Sequence, residues 1–182
     1  MEDPIRAEYL RDSAATFRKY KDLADQALAR VTVEQFFAAL DAESNSLALL
    51  VKHMAGNLLS RWTDLLTADG EKPDRDRDSE FETAPNDTRE SLMRRWEAGW
   101  SVALGTLETL APADLDRTVR IRGEPHSLVQ AINRQVTHAA YHAGQIVFLA
   151  KHLQADSWQS LSIPRGQSRQ FNAGMAAAPP PA

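Results

Sequence analysis

Hydrophobic residues recur at helical spacing in four long segments of the chain. In the first, near residues 4–30, apolar positions repeat three and four apart behind Asp3 and Pro4, a pair typical of a helix start. The second segment covers residues 46–66 and contains no proline. Together with two further segments, this pattern predicts an all-α protein, a four-helix bundle with long connecting loops.

The third helix is predicted to begin at DTRE, residues 87–90, which resembles a capping box, and to end near Pro112. Ser127 can cap a fourth helix that reaches about Leu153. Either an extended loop or a small hairpin around Gly123 joins these two helices, and the sequence favours neither. The helix order also stays open, because long connections allow both an up-and-down and a crossover arrangement.

Two segments outside the helices have two interpretations each. Residues 67–86 form a loop dense in charge, and unstructured loops beyond about 12–15 residues are usually functional or disordered. In one interpretation, this loop and the segment LSIPRG, residues 161–166, form a lid over a site or a dimer contact. In the other, the loop is simply solvated and LSIPRG is a tail that covers a hydrophobic patch. We predict one domain over residues 1–172 and a disordered tail over 173–182, which is rich in alanine and proline.

The composition narrows the classes of function. Lys and Arg number 21 against 25 Asp and Glu, and a net charge of -4 gives no general attraction for nucleic acid or anionic lipid. There is no cysteine, so any metal must use nitrogen and oxygen ligands. No apolar run has the length of a membrane span and the amino terminus is charged, so we expect a cytoplasmic protein.

Three histidines on two predicted helices indicate a metal site. His138 and His142 are four residues apart, so their imidazoles lie one above the other and can reach one ion. His53 lies within the second helix, where a charged imidazole is costly to bury without a partner. Such a pair also occurs by chance on many helices, and an inward histidine is often only hydrogen-bonded. We predict that all three ligate one divalent metal.

Polar residues continue from these histidines along both helices, which supports a site. The stripes comprise His53, Asn57, Arg61 and Asp64 on one helix, and Arg134, His138, His142 and Gln145 on the other. Buried polar groups persist only when they are satisfied, and a metal with a water-filled pocket satisfies several together. His126 and His152 lie at helix ends and are left out of the ligand set.

Three further residues are candidates for catalytic roles. Asn57 and Arg61 follow His53 by one and two turns and can orient substrate or stabilise negative charge, and Tyr141 can act as an acid. Each has an equally plain structural explanation in packing or a surface ion pair. The nearest carboxylate on the stripe, Asp64, lies three turns away, about 16 Å along the axis, so no strong base is predicted.

Five segments carry a family resemblance. They are KHMAGNLLSRWTDLLTADGEKP from Lys52, WEAGW from Trp96, IRGEPHS from Ile121, AINRQVTHAAYHAGQIVFLAK from Ala131 and LSIPRG from Leu161. At these residues the chain resembles the DinB-like superfamily of metal-dependent enzymes, which includes YfiT-like hydrolases and thiol-dependent transferases, and most closely one of its uncharacterised branches. The resemblance implies a DinB/YfiT-like four-helix bundle, often a homodimer, with metal ligands at the positions of His53, His138 and His142. It implies zinc or nickel, with manganese or iron as alternatives.

Two classes of function follow from the sequence. The first is a metal-dependent enzyme with an open three-histidine site, a hydrolase or a thiol-dependent S-transferase acting on an unidentified small molecule. The second is a noncatalytic metal-binding bundle with a structural or stress-associated role, which the lack of a nearby carboxylate keeps open. Neither involves nucleic acid or a membrane.

Overall fold

Within residues 3–177, which this computed structural model describes, the chain is mostly helical. The helices are α1 (Pro4–Leu28), α2 (Val33–Phe37), α3 (Leu47–Trp62), α4 (Arg89–Thr109), α5 (Leu128–Gln154) and α6 (Ser168–Ala177). Short 3₁₀ segments lie at Asp78–Phe81, Pro112–Asp116 and Ala155–Ser157. Strands β1 (Thr118–Ile121) and β2 (Glu124–Ser127) form an antiparallel hairpin. None of the described helices is long and apolar enough to cross a membrane.

Side-chain caps fix where the long helices begin. Asp3 accepts a hydrogen bond from the Ile5 backbone N–H (3.0 Å), as the sequence predicts for the start of α1. Ser127 likewise caps α5, which confirms the predicted cap of the fourth helix. The α4 capping box is also present, but Ser91 rather than Glu90 is the partner of its N-cap residue.

Helix α3 ends four residues earlier than predicted, at Trp62 rather than Leu66. Thr63 has an extended backbone and Asp64 a left-handed one (φ 52°), which stops the helix. Leu65 is nevertheless buried, so its place in the hydrophobic pattern reflects core packing outside the helix. Asp64 therefore does not continue the polar stripe of α3.

The four long helices share one hydrophobic core. Helix α3 packs mainly against α4, and α1 mainly against α5. Phe17 of α1 makes edge contacts with Trp62 and Trp100, at ring-centroid distances of 5.5 and 6.1 Å. Trp96 and Trp100 are fully buried and belong to the core. The site described below lies where α3 faces α5, between these two helix pairs.

Three elements were not resolved by the sequence pattern. Helix α2 has five residues, too few to show a helical period. The connection around Gly123 is the hairpin, closed by left-handed residues Arg122 (φ 57°) and Gly123 (φ 77°). Helix α6 runs across the predicted boundary at residue 172, and residues 178–182 lie outside the described residues, so the domain limits remain a prediction.

The charged loop of residues 67–86 is folded onto α3 and tied to the hairpin by Asp69. The Asp69 carboxylate accepts hydrogen bonds from the backbone N–H groups of Glu71 (2.7 Å), Arg122 (2.8 Å) and Gly123 (2.7 Å). These bonds hold the pKa of Asp69 below its ordinary value. The segment after α5 also lies on the protein, since Trp158 and Leu161 pack against the core.

Replacing Asp69 with alanine should lower the free energy of unfolding by roughly 1 to 3 kcal/mol, because three backbone donors lose a charged acceptor. Urea denaturation at neutral pH measures the change. Asp74→Ala is the matched control, since Asp74 lies on the same loop and makes no hydrogen bond within residues 3–177. Equal stability of the two variants would show that Asp69 does not hold the loop in place.

Candidate metal centre

Three imidazole rings meet between α3 and α5. The Nε2 atom of His138 lies 3.3 Å from His53 Nε2 and 3.1 Å from His142 Nε2. One ligand nitrogen from each ring lies within 4.8 Å of the others. His53 and His142 are buried and His138 is half-buried, so the cluster has one more open side. The structure thus brings together the three histidines that the sequence predicts as ligands.

The opposite nitrogens of two of these rings, His53 and His142, are held by acceptors. His53 Nδ1 lies 2.9 Å from the Glu80 carboxylate, and His142 Nδ1 lies 2.7 Å from Gln145 Oε1. An oxygen acceptor at Nδ1 places the ring proton there, which leaves a lone pair on Nε2 of the neutral ring. His138 Nδ1 instead lies 3.4 Å from Gln135 Nε2, an amide donor, which places the His138 ring proton on Nε2. That N–H faces the Nε2 lone pairs of His53 and His142, and a metal ion would bind in place of its proton.

The cluster fits a divalent metal ion. Two nitrogens at about 2.0–2.1 Å from a tetrahedral ion are about 3.3 Å apart, close to the separations observed here. Burial first, and then the charges of neighbouring residues, lowers the pKa of His138 to about 3, and burial lowers the pKa of His142 to about 4. Both rings are thus neutral at pH 7, as metal binding requires. Within the described residues no fourth His, Asp or Glu joins the cluster.

A carboxylate does stand next to the site, contrary to the sequence-based expectation. Glu80, in the 3₁₀ segment of the charged loop, is only 3% exposed and bonds to His53. Arg75 donates two hydrogen bonds to the same carboxylate, from Nε to Oε1 (2.8 Å) and from Nη2 to Oε2 (2.9 Å). Burial alone would raise the pKa of Glu80, but the bonds from His53 and Arg75 outweigh it and hold the pKa below its ordinary value. With both oxygens engaged, Glu80 orients His53 and is not a free base.

Gly56 makes room for this carboxylate. A Cβ atom on Gly56 would lie 2.2 Å from Glu80 Oε1, well inside any normal contact. An isolated glycine in the middle of a helix is therefore explained by the close approach of the loop. This glycine is also the one feature of the α3 sequence that indicates that a group from elsewhere in the chain lies beside His53.

A pocket of about 530 Å³ opens above the histidines. The three candidate catalytic residues all line it, together with His53 and His138. Asn57 is buried and accepts a hydrogen bond from Gln135 (2.9 Å), and Arg61 is buried and paired with Glu71 (2.8 Å). Tyr141 is 62% exposed and its ring contacts that of His142. Their catalytic roles remain predictions.

The sequence matches, over residues 4–167, a family described as a protein of unknown function, DUF1572. The chain belongs to the DUF1572 family. The matched region includes both helices of the metal site and ends directly before α6. No curated protein and no solved structure matches the chain.

Sequence reasoning missed several site residues of this DUF1572 protein, because they come from the loop, from the hairpin and from a position of α5 outside the predicted polar stripe. These are Glu80, Arg75, Arg77, Arg122 and Gln135. Arg77 and Arg122 lie at the pocket wall, and Arg77 also covers the ring of Phe81 at 4.9 Å. That ring in turn stacks on His53, with the centroids 4.7 Å apart. The charged loop is therefore part of the site, and nothing in its local pattern marks which residues face inward.

Gly56→Ala in this DUF1572 protein should lower zinc affinity about 10- to 100-fold, because the new methyl group displaces Glu80 and frees His53. Competition with a chelating dye measures the affinity. Glu80→Gln should have an effect of the same direction, since it removes the charge while keeping the size of the side chain.

Gly105→Ala is the matched control, because an added Cβ there meets nothing within 4 Å. It should leave zinc affinity unchanged and raise helix stability by up to about 1 kcal/mol. Wild-type zinc affinity in both Gly56→Ala and Glu80→Gln would show that the carboxylate does not orient a ligand.

Proposed function

We propose that this DUF1572 protein is a divalent-metal-dependent enzyme acting on a small molecule. The proposal rests on one observation: three Nε2 atoms converge at metal-ligand spacing, and two of the three rings, His53 and His138, line an open pocket. His53, His138 and His142 would hold the ion, with zinc or nickel as the first candidates. Three protein ligands and no fourth is the pattern of catalytic sites, whereas structural zinc sites are closed by four.

The reaction is proposed to be hydrolysis or the transfer of a thiol to an electrophile. When bound, a divalent ion lowers the pKa of a water or thiol that it ligates and so supplies a nucleophile near neutral pH. Among the described residues no Asp or Glu lines the pocket, so the chain offers no carboxylate base to assist. A thiol, whose pKa of about 8.5 is far below that of water, needs much less assistance. The pocket therefore favours the thiol transferase.

Three residues of the chain have proposed roles around the reacting groups. Tyr141 presents a phenol at the pocket wall and would donate a proton to a leaving group or developing anion. Asn57, fixed by its bond from Gln135, would orient the substrate. Arg61 would stabilise negative charge while Glu71 holds its guanidinium in place.

We also propose that the protein has a DinB/YfiT-like fold and forms a homodimer. Four long helices around one core, with a histidine from α3 and two from α5 at their junction, support a DinB/YfiT-like four-helix bundle. The resemblance of the sequence to that superfamily points the same way and suggests a homodimer. Size-exclusion chromatography with light scattering tests the dimer.

Purified wild-type protein should contain about one equivalent of divalent metal, and the double variant His53→Ala, His138→Ala should contain none. Elemental analysis measures both, before and after incubation with zinc, nickel or manganese. The control is His126→Ala, His152→Ala, which removes two histidines outside the cluster and should keep the metal.

A wild-type protein that is free of metal and takes up none of the three ions would end the metalloenzyme proposal. Circular dichroism of each variant separates loss of ligands from loss of fold. If the double variant at His53 and His138 kept its metal and the control variant lost it, the ion would bind outside the histidine cluster.

Metal-loaded protein should transfer a low-molecular-weight thiol to an epoxide, forming a C–S bond as the ring C–O bond breaks. Tyr141→Phe should lower kcat by about 10²-fold or more with metal content unchanged, because the ring oxygen loses its proton donor. Hydrolysis of an ester, an amide and a phosphate ester is assayed in parallel. Absence of turnover on all substrates, with a metal-dependent rise in Tm that His142→Ala abolishes, would favour the noncatalytic metal-binding role instead. The missing carboxylate on the pocket wall is the observation that favours that second role.

A further inference from the structure

The wall of the pocket is unusually rich in arginine. The five are Arg61, Arg75, Arg77, Arg122 and Arg134. Among the described residues no lysine lines the pocket. Arginine differs from lysine in presenting a planar fork of donors that matches the two oxygens of an oxyanion. A pocket wall with arginine and without lysine therefore indicates a ligand that carries an oxyanion group, and not positive charge alone.

Carboxylates neutralise only part of this charge. Glu71 pairs with Arg61 (2.8 Å) and Arg122 (3.1 Å), and Glu80 pairs with Arg75. Two carboxylates thus face three arginines in this network. The other two arginines, Arg77 and Arg134, have no carboxylate within 4.0 Å among residues 3–177.

The positive excess is local, because the whole chain carries a net charge of -4. The loop of residues 67–86 has seven acidic residues against three basic ones. Yet both arginines of the loop line the histidine pocket, whereas Asp74 and Asp76 line only a second pocket, which Arg75 also reaches. The loop therefore contributes cations and no carboxylate to the wall of the histidine pocket.

A divalent ion on the histidines would add two further positive charges to this wall. Arg77 and Arg134 are exposed, so solvent screens the repulsion between these charges, and both guanidiniums can pair with an anion that enters the pocket. A pocket of about 530 Å³ has the size of a small-molecule site.

We propose that the pocket binds a small organic anion whose phosphate, sulfonate or carboxylate group is held by Arg77 and Arg134 beside the histidine cluster. Arg134 lies one helical turn before His138 on the same face of α5, so an anion on its guanidinium lies next to the metal ligands. This inference rests on the proposed function, for which it names the substrate class: an anionic substrate whose reacting atom faces the histidines.

The test is calorimetric titration of metal-free and zinc-loaded protein with phenyl phosphate, benzenesulfonate and benzoate. Benzyl alcohol serves as the uncharged analogue. At least one of the anions should bind with one-to-one stoichiometry, more weakly as sodium chloride is raised, and the alcohol should not bind. Arg134→Gln or Arg77→Gln should weaken binding about tenfold or more, because each removes a charge-assisted pair.

Arg94→Gln is the matched control, since Arg94 is an exposed arginine of α4 paired only with Glu90 among the described residues. It makes the same change of charge and should leave anion binding unchanged. Arg77 and Arg134 are exposed, so their variants should keep the wild-type Tm.

Metal content of the same samples separates the two proposals. Zinc bound at one equivalent with none of the three anions binding would overturn the anion site and leave the metal site standing. Anion binding that the arginine variants weaken, in a protein that takes up no metal, would support the anion site and end the metalloenzyme proposal. Anion binding that neither arginine variant changes would place the anion elsewhere and overturn the inference.

Discussion

The carboxylate of Glu80, buried between an imidazole and a guanidinium, is the contact on which the arrangement of the site depends. A buried carboxylate without partners would be very costly, so the loop is stable in this position only while His53 and Arg75 both bond to it. In return, Glu80 fixes which nitrogen of His53 carries the proton. The glycine at position 56 is what allows the carboxylate to come so close to α3.

From this contact a chain of ion pairs extends to the hairpin. Arg75 also reaches Glu71 (3.4 Å), and Glu71 bonds to Arg61 and Arg122. Such networks add little net stability once the desolvation of their charges is counted, although losing one member is costly. Their effect here is positional: they join a helix, a loop and a hairpin, and they hold arginines at the pocket wall.

The parts of the site that could be predicted from sequence are those set by local periodicity. His138 and His142 share a helix face because of their spacing, and His53 is conspicuous as a polar residue in an apolar stretch. Glu80 could not be singled out, since it is one of several carboxylates in a loop without periodic pattern. Which of them folds inward is decided by the space over Gly56 and by Arg75, both contacts between separate elements. Helix α2 could not be predicted either, because five residues are too few to show a helical period.

The position of the histidine cluster at the seam between two helix pairs has a consequence for how the protein matures. Helix α3 belongs to the pair with α4 and helix α5 to the pair with α1, and His53 and His138 are 85 residues apart in the chain. The three nitrogens come together only when α5 packs against α3, so a nascent chain offers no complete chelate before the last long helix has docked. If an ion binds there, its uptake would follow folding, and the ion would link the two helix pairs.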